Sequence, residues 1–321
     1  GDLELAARCG FDGAAALQST DAVDQGQRAP RVVNIERAEG KLVVRLGDEL
    51  FTEYHYADPP RPYLYPLLGP GGLALTRGFP MDPQVGEEQD HPHHRSLWFA
   101  HGSVNGFDFW QGSEHGEGIV QEEILALETG ASVGRVRVRN RWEADGAAVC
   151  FEERRLAFSE GPHGRILDFE SELTPATDAL VLGDTKEGTF AIRMVASLRL
   201  VGPGAAGQAK NSGGARDGDC WGKRAAWIDY WGPVGGRTMG ILMLDHPTNF
   251  AHPTWWHARD YGLCADNPFG VNDFEQKPAG TGDKRVVRGQ SLTLRYRLVL
   301  HDGELESSRA AELLAEFSLV R

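Results

Sequence analysis

Histidine is concentrated in one short stretch of this sequence. Four of the eleven histidines fall within residues 90–101, which begin with Asp90 and run into the apolar segment 97–100. Imidazole titrates near neutral pH and can donate a hydrogen bond, accept one or bind a metal, so such a density indicates a functional site. The four are His91, His93, His94 and His101.

A second polar and aromatic segment lies far downstream, at residues 245–257. Between the two segments, residues 183–193 carry Lys186 and Glu187 at a predicted strand junction. We expect the fold to bring the three segments together over one polar pocket, because perturbed titratable groups concentrate at functional sites. The downstream segment contains His246, His252, Trp255, Trp256 and His257.

Acid–base chemistry on a sugar, of the epimerase, lyase or hydrolase type, is the reaction that this combination favours. An imidazole and a carboxylate on opposite sides of a small polar ligand can each accelerate proton transfer by about 10²–10⁴. Aromatic faces suit the C–H faces of a pyranose ring, and polar side chains suit its hydroxyl edges. The predicted catalytic residues are His94, Glu187, His252 and His257. The predicted substrate-binding residues are Asp90, His93, Trp98, His101, Lys186, His246, Trp255, Trp256 and Asn267.

Two other functions fit the same residues. His91 and His93 form a His-x-His pair and His101 could supply a third nitrogen, so a divalent metal is one alternative. The longer-range spacing of strong zinc signatures is absent, so we predict no resident metal or other cofactor. The other alternative is a non-catalytic carbohydrate-binding protein, which would keep the tryptophans but show no pH-dependent rate.

Composition argues against several classes of partner. The chain carries 33 Lys and Arg against 46 Asp and Glu, a formal net charge of −13. It is therefore a poor partner for the phosphate backbone of nucleic acids and for anionic membranes. No apolar run approaches the roughly 18 residues of a membrane span. The four cysteines are scattered without a CxxC pair, so we expect reduced thiols and a cytoplasmic location. The partner that remains is a small-molecule carbohydrate.

The elements that must position these residues have the pattern of short strands. Alternating apolar residues predict strands over 41–46, 49–56, 133–142, 149–158, 165–173, 225–230, 237–244 and 291–301. In the third of these, the arginines at odd positions share one face. We expect them to pair with carboxylates of neighbouring strands rather than to bind an anion.

The spacing of these strands favours an all-β fold, a large antiparallel β-sandwich with a short C-terminal helix. We predict that residues 1–30 form an N-terminal extension and residues 31–321 a single β-sandwich domain. The helix is predicted from the spacing of apolar residues within 310–317, with Asp302 as its N-cap. Segment 201–219, which contains six glycines, is predicted to be a flexible loop or lid.

Several short motifs resemble one family of bacterial proteins, a domain of unknown function that carries the label "PmoA family". The resemblance covers roughly residues 31–301, and the histidine-rich stretch is its most specific part. The motifs that carry it are residues 63–66 (YLYP), 90–99 (DHPHHRSLWF), 105–110 (NGFDFW), 252–257 (HPTWWH), 261–263 (YGL) and 267–270 (NPFG).

This resemblance implies a soluble β-sandwich of carbohydrate-degrading bacteria, similar to the galactose mutarotase-like supersandwiches. Mutarotases use a histidine general acid at the ring oxygen and a glutamate general base at the anomeric hydroxyl. By role, the resemblance places His94 or His252 in the first position and Glu187 in the second. Methane oxidation is not implied, because the methane-oxidising subunit that shares the label is a membrane protein and this chain has no predicted span.

Overall fold

The computed structural model describes residues 31–58, 60–112 and 114–320, and every strand pairing within them is antiparallel. The strands form two large sheets and one two-stranded sheet. The all-β fold class predicted from the sequence is confirmed. The predicted N-terminal extension, residues 1–30, lies outside the described residues.

One large sheet has nine strands and carries the histidine-rich segment. From edge to edge, its strands are β1 (Val33–Ala38), β2 (Lys41–Leu46), β3 (Glu49–His55), β4 (Tyr63–Leu64), β5 (Leu97–His101), β11 (Gly188–Arg193), β17 (Leu263–Asn267), β16 (Thr254–Trp256) and β13 (Arg224–Ala225). The four strands from β5 to β16 are neighbours in space although three distant parts of the chain supply them.

The other large sheet has eight strands and includes most of those predicted from alternation. Its order is β12 (Gln208–Asn211), β14 (Trp227–Val234), β15 (Arg237–Asp245), β19 (Leu292–Asp302), β9 (Gly164–Pro175), β8 (Ala147–Gly161), β7 (Val133–Ala144) and β6 (Gly118–Glu128). The two-stranded sheet pairs β10 (Ala179–Leu182) with β18 (Lys284–Val287).

Aromatic side chains join the inner faces of the two large sheets. Phe99 of β5 lies 5.5 Å, centroid to centroid, from Phe169 of β9, and Phe190 of β11 stacks on Tyr296 of β19 at 4.6 Å. Because successive side chains of a strand point to opposite sides, these contacts fix which residues face the core and which face outward.

Helix α2 (Ser307–Phe317) covers the outer face of the eight-stranded sheet, and a shorter helix, α1 (Val271–Glu275), follows β17. Leu313 and Phe317 of α2 pack there with Leu242 and Val299. The predicted C-terminal helix is confirmed, but the predicted N-cap Asp302 is wrong. Asp302 is the last residue of β19, and Glu306 holds the N-cap position.

The predicted arginine–carboxylate pairing on the eight-stranded sheet is confirmed. Arg137 and Arg139 of β7 pair with Glu153 of β8 at 2.6 Å and Glu123 of β6 at 2.9 Å, respectively. The glycine-rich segment 201–219 differs from the predicted loop, because Gln208–Asn211 form β12 and pair with β14. In the part of the chain that the structure describes, no helix is long and apolar enough to cross a membrane.

Candidate active site

Two alanines lie between an indole and an imidazole on the outer face of the nine-stranded sheet. Phe99 faces the core, so Trp98 faces outward, opposite Ala191 of β11; Ala191 is in turn opposite Ala265 of β17. Ala265 exchanges two backbone hydrogen bonds with His257, which makes them directly opposed neighbours. Three strand spacings, roughly 14 Å, separate the two ends of this row. We call the row, from Trp98 to His257, the trough.

Buried polar atoms along the trough lack partners. The Nε1 atom of Trp98 and the Nε2 atom of His257 make no hydrogen bond within the described residues. The same holds for Thr189 Oγ1, which faces outward beside the row, and for Trp110 Nε1, whose ring lies 5.1 Å from that of Trp98. Buried polar groups are nearly always hydrogen-bonded, so these four atoms are groups that a ligand or water would satisfy. The row itself is buried, since Trp98, the two alanines and His257 are at most 2% exposed.

His94 is held in one neutral tautomer over the Trp98 end of the trough. Its ring stacks on Trp98 at 5.2 Å, and Arg193 Nη1 lies 3.1 Å from its Nδ1 atom. A guanidinium can only donate, so Nδ1 must accept and Nε2 must carry the proton. Burial, together with the nearby charges of His93 and Arg193, holds the pKa of His94 far below its usual range.

Arg193 is itself held by Asp90. Its Nη2 atom donates to Asp90 Oδ1 at 2.7 Å, Arg77 donates to the same oxygen, and His91 Nδ1 lies 2.6 Å from Oδ2. Burial would raise the pKa of Asp90, but hydrogen bonds from Arg193 and His91 outweigh it and lower that pKa to about 2. Asp90 is therefore ionised and positions Arg193.

His257 is held in the opposite tautomer at the other end. Its Nδ1 atom lies 2.8 Å from the backbone oxygen of Lys186, which can only accept, so Nδ1 carries the proton and Nε2 is a free lone pair. Burial lowers the pKa of His257 to about 4. At neutral pH His257 therefore presents an unprotonated nitrogen, whereas His94 presents an N–H.

The upstream segment contacts Tyr261, which lies four residues beyond the downstream segment. Its ring stacks on His91 at 5.2 Å, and the guanidinium of Arg193 lies over it at 4.6 Å. Burial raises the pKa of Tyr261, and Glu187 is one of the carboxylates whose charge adds to this effect. Glu187 Oε1 is 3.2 Å from Lys186 Nζ, so this ion pair flanks the trough.

The remaining outward-facing predicted residues surround the two ends. Asn267 lies opposite Trp255 in the sheet and donates to the backbone oxygen of Thr185 at 2.8 Å. His93 lies 4.4 Å from the ring of His94 and lines an open cavity of about 510 Å³, and burial lowers its pKa to about 4.

Four predicted site residues lie away from the trough. His101 is on the core-facing side of β5, where its Nε2 atom donates to Gly183 O at 2.7 Å. Trp256 also faces the core and donates to Ala225 O. His246 packs on Phe317 of α2 at 4.8 Å, and His252 pairs with the buried carboxylate of Asp245 at 2.7 Å.

The metal arrangement that the sequence left open is not assembled. His101 lies on the opposite side of the sheet from His94, away from His91 and His93. Within the ranges that the structure describes, no group of three or more His, Cys, Asp or Glu side chains is placed to hold a metal ion.

Arg193, Tyr261 and the alanines were missed by the sequence analysis as site residues. Arg193 left a readable signal, since it is a charged residue inside the apolar run 190–194. Such a residue is rarely buried without a partner. Nothing in the sequence marks the two alanines as site residues, because their place in the row depends on which strands lie beside them.

Solved structures of other proteins resemble this chain only distantly. A galactose mutarotase related enzyme from Lactobacillus acidophilus is 9% identical, with 85% of this chain and 100% of that one covered and a TM-score of 0.34. A galactose mutarotase-like protein from Clostridium acetobutylicum is 8% identical, with 85% and 99% covered and a TM-score of 0.37. TM-scores this low carry no argument about the reaction.

The sequence comparisons concern the family. No curated protein matches the chain. The PmoA label suggested by the motifs is not shown, whereas a family of unknown function, DUF6807, matches residues 41–315. This match spans most of the sequence and includes every residue of the trough, and we conclude that the chain belongs to the DUF6807 family of unknown function.

Proposed function

We propose that this protein is a carbohydrate-active enzyme that moves a proton on a saccharide bound in the trough. One observation carries the proposal: His94 and His257 stand at opposite ends of a row of small side chains in complementary neutral tautomers. One offers a hydrogen-bond donor and the other a base, which is the pair that acid–base catalysis needs.

In this proposal His257 is the general base. Its Nε2 lone pair is unpartnered within the described residues and unprotonated at neutral pH, so it is ready to accept a proton from the ligand. His94 donates its Nε2 hydrogen to the oxygen on which negative charge develops. Its strongly lowered pKa keeps it neutral, so it acts as a hydrogen-bond donor rather than as an imidazolium.

The surrounding groups favour a sugar as the ligand. The indole N–H of Trp98 has no partner within the described residues, and Thr189 adds an unpartnered hydroxyl. The ring of Trp98 is itself covered by His94 and Trp110, so its polar atom is the group that it offers to a ligand. The Lys186–Glu187 ion pair supplies polar groups at the rim. The hydroxyl groups of a pyranose can both donate and accept, so they match these polar groups.

These roles favour epimerase or lyase chemistry over glycoside hydrolysis. Hydrolysis ordinarily uses two carboxyl groups, one of which must act as an acid. Asp90 does not suit that role, because hydrogen bonds from Arg193 and His91 outweigh its burial and hold its pKa at about 2. The resemblance to mutarotases suggested Glu187 as the base; the hydrogen bonds around His257 favour His257 instead, with Glu187 contacting ligand hydroxyls.

The test is a proton-exchange survey. Neutral and acidic saccharides are incubated with the enzyme in D₂O, and ¹H NMR follows both exchange between anomers and loss of C–H signals. Replacing His94 or His257 singly by Gln should lower the rate of the responding sugar at least about 10²-fold. His246→Gln is the matched control, since His246 packs against α2 on the other sheet, and should leave the rate unchanged.

Two results would count against this proposal. If His246→Gln lowered the rate as much as His257→Gln, the effect would come from folding and not from the trough. If saccharides bound without any exchange, the protein would be a carbohydrate-binding protein that does not catalyse.

A further inference from the structure

A second cavity, of about 770 Å³, opens beside the trough between the turn that follows β12 and strand β13. It does not include the histidines. The lining side chains that matter here are Asn211, Asp219, Trp221, Lys223 and Arg224. An aromatic ring, an amide and charged groups around one cavity of this size match the chemistry of a sugar unit.

Trp221 leaves an unusually large apolar surface in contact with solvent. It is 37% exposed, whereas the other tryptophans of the described chain are at most 5% exposed. Within the described residues its aromatic neighbour is Phe274, in an edge-to-face contact at 5.6 Å. A large exposed aromatic ring inside a cavity is typical of a binding surface.

Asn211 contributes a buried donor without a partner. Its Oδ1 atom accepts from the backbone N–H groups of Gly213 at 3.0 Å and Ala215 at 3.1 Å, which fixes the orientation of the amide. The Nδ2 atom makes no hydrogen bond within the described residues, although the residue is only 3% exposed. Such an atom costs stability unless a ligand or water satisfies it.

Side chains connect the cavity to the trough. The guanidinium of Arg224, which lines the cavity, lies 4.4 Å from the ring centre of Trp255, and Trp255 faces outward beside the trough. Phe274 forms a second connection, because it contacts both Trp221 and His257, the latter at 6.1 Å. A ligand that occupies both places would run along these aromatic side chains.

We propose that this cavity binds a second sugar unit, with Trp221 as its stacking platform and Asn211 as a hydrogen-bond donor. The substrate class is then an oligosaccharide or glycoside of at least two units, not a free monosaccharide. This inference rests on the proposed function of the trough, because it assigns the neighbouring unit of the same ligand.

The experiment measures binding as a function of chain length. Isothermal titration calorimetry is run with gluco-, manno-, galacto- and xylo-oligosaccharides of one to six units. Wild-type protein should bind the responding series more tightly from two units upward. Trp221→Ala should raise the Kd for these longer saccharides at least about tenfold and leave binding of the single unit unchanged. Asn211→Asp, which keeps the Oδ1 acceptor but removes the donor, should act in the same direction.

Phe151→Ala is the matched control, since Phe151 is a similarly exposed aromatic residue on β8, and it should change nothing. The proposal is overturned if wild type shows no preference for longer chains, if it binds none of them, or if Trp221→Ala leaves their Kd unchanged. If only the proposed catalytic role of the trough is wrong, the result is different. His257→Gln would then keep the wild-type turnover, while Trp221→Ala would still weaken the binding of longer saccharides.

Discussion

Two hydrogen bonds determine what the histidines of the trough can do. Arg193 makes His94 a donor, and the backbone oxygen of Lys186 makes His257 an acceptor. The sequence identified both histidines as candidates from their density and neighbours. Their tautomers were not predictable, because each depends on a partner from a different strand or loop.

At the residue scale, the lowered pKa of His257 predicts the acidic limit of activity. Burial disfavours the imidazolium, so His257 stays a base as pH falls through its ordinary range and is protonated only near pH 4. The rate per folded molecule should therefore be level from neutral pH to about 5 and fall below that. Steady-state rates measured with circular dichroism at each pH would check this. An acidic limb near 6.5 would show that His257 is not buried as described or is not the base.

Successive side chains of a strand point to opposite faces of the sheet, and this alternation separates the site residues from the core residues. In β7 and β9 of the eight-stranded sheet, apolar and charged residues alternate, so the sequence predicted these strands and their faces correctly. β5, β11 and β16 are buried on both sides, and a continuous buried run does not show which side chains face outward. This is why His101 and Trp256 were placed in the site although they face the core.

At the element scale, β17 carries an acidic residue directly behind the trough. Asp266 is 1% exposed, and neither carboxylate oxygen has a hydrogen-bond partner within the described residues. Burial and the nearby charge of Asp245 raise its pKa well above its usual range. A raised pKa in the folded state means that stability present at low pH is lost as pH rises through that pKa.

Asp266→Asn removes this pH-dependent loss of stability and keeps the size of the side chain. We expect the variant to raise the free energy of unfolding at pH 7 by at least about 1.4 kcal/mol, equivalent to one pKa unit, and to have little effect near pH 4. Urea denaturation at both pH values measures it. Asp178→Asn, at a surface carboxylate paired with Arg288, is the control and should be neutral at both. A destabilised Asp266→Asn protein at pH 7 would contradict the pKa direction.

At the scale of the whole molecule, the sequence predicted the fold class and the ion pairs of the outer face but not an ion pair that is buried in the core. Glu152 and Arg154 of β8 point into the space between the sheets, 2.8 Å apart and almost fully buried. Asn140 and Trp142 complete the shell around the Glu152 carboxylate at 3.1 and 3.0 Å. Alternating charges in a sequence do not distinguish such a pair from a solvated one.

The two kinds of ion pair should differ sharply in their effect on stability. Glu152→Gln leaves the Arg154 charge buried and uncompensated, and should lower the free energy of unfolding by about 3–5 kcal/mol. Arg139→Ala breaks an exposed pair with Glu123 and should cost less than about 1 kcal/mol. Equal effects in a denaturation series would mean that Glu152 is solvated.

The most direct measurement is a two-bond ¹H–¹⁵N spectrum of the histidine imidazoles at pH 7, assigned with His94→Gln and His257→Gln and titrated with the responding saccharide. We predict that His94 is protonated only at Nε2 and His257 only at Nδ1. Added saccharide should shift the imidazole signals of both residues and leave those of His246 in place. If either ring is doubly protonated at pH 7, or if saccharide shifts His246 and leaves His94 and His257 unmoved, the trough is not the site.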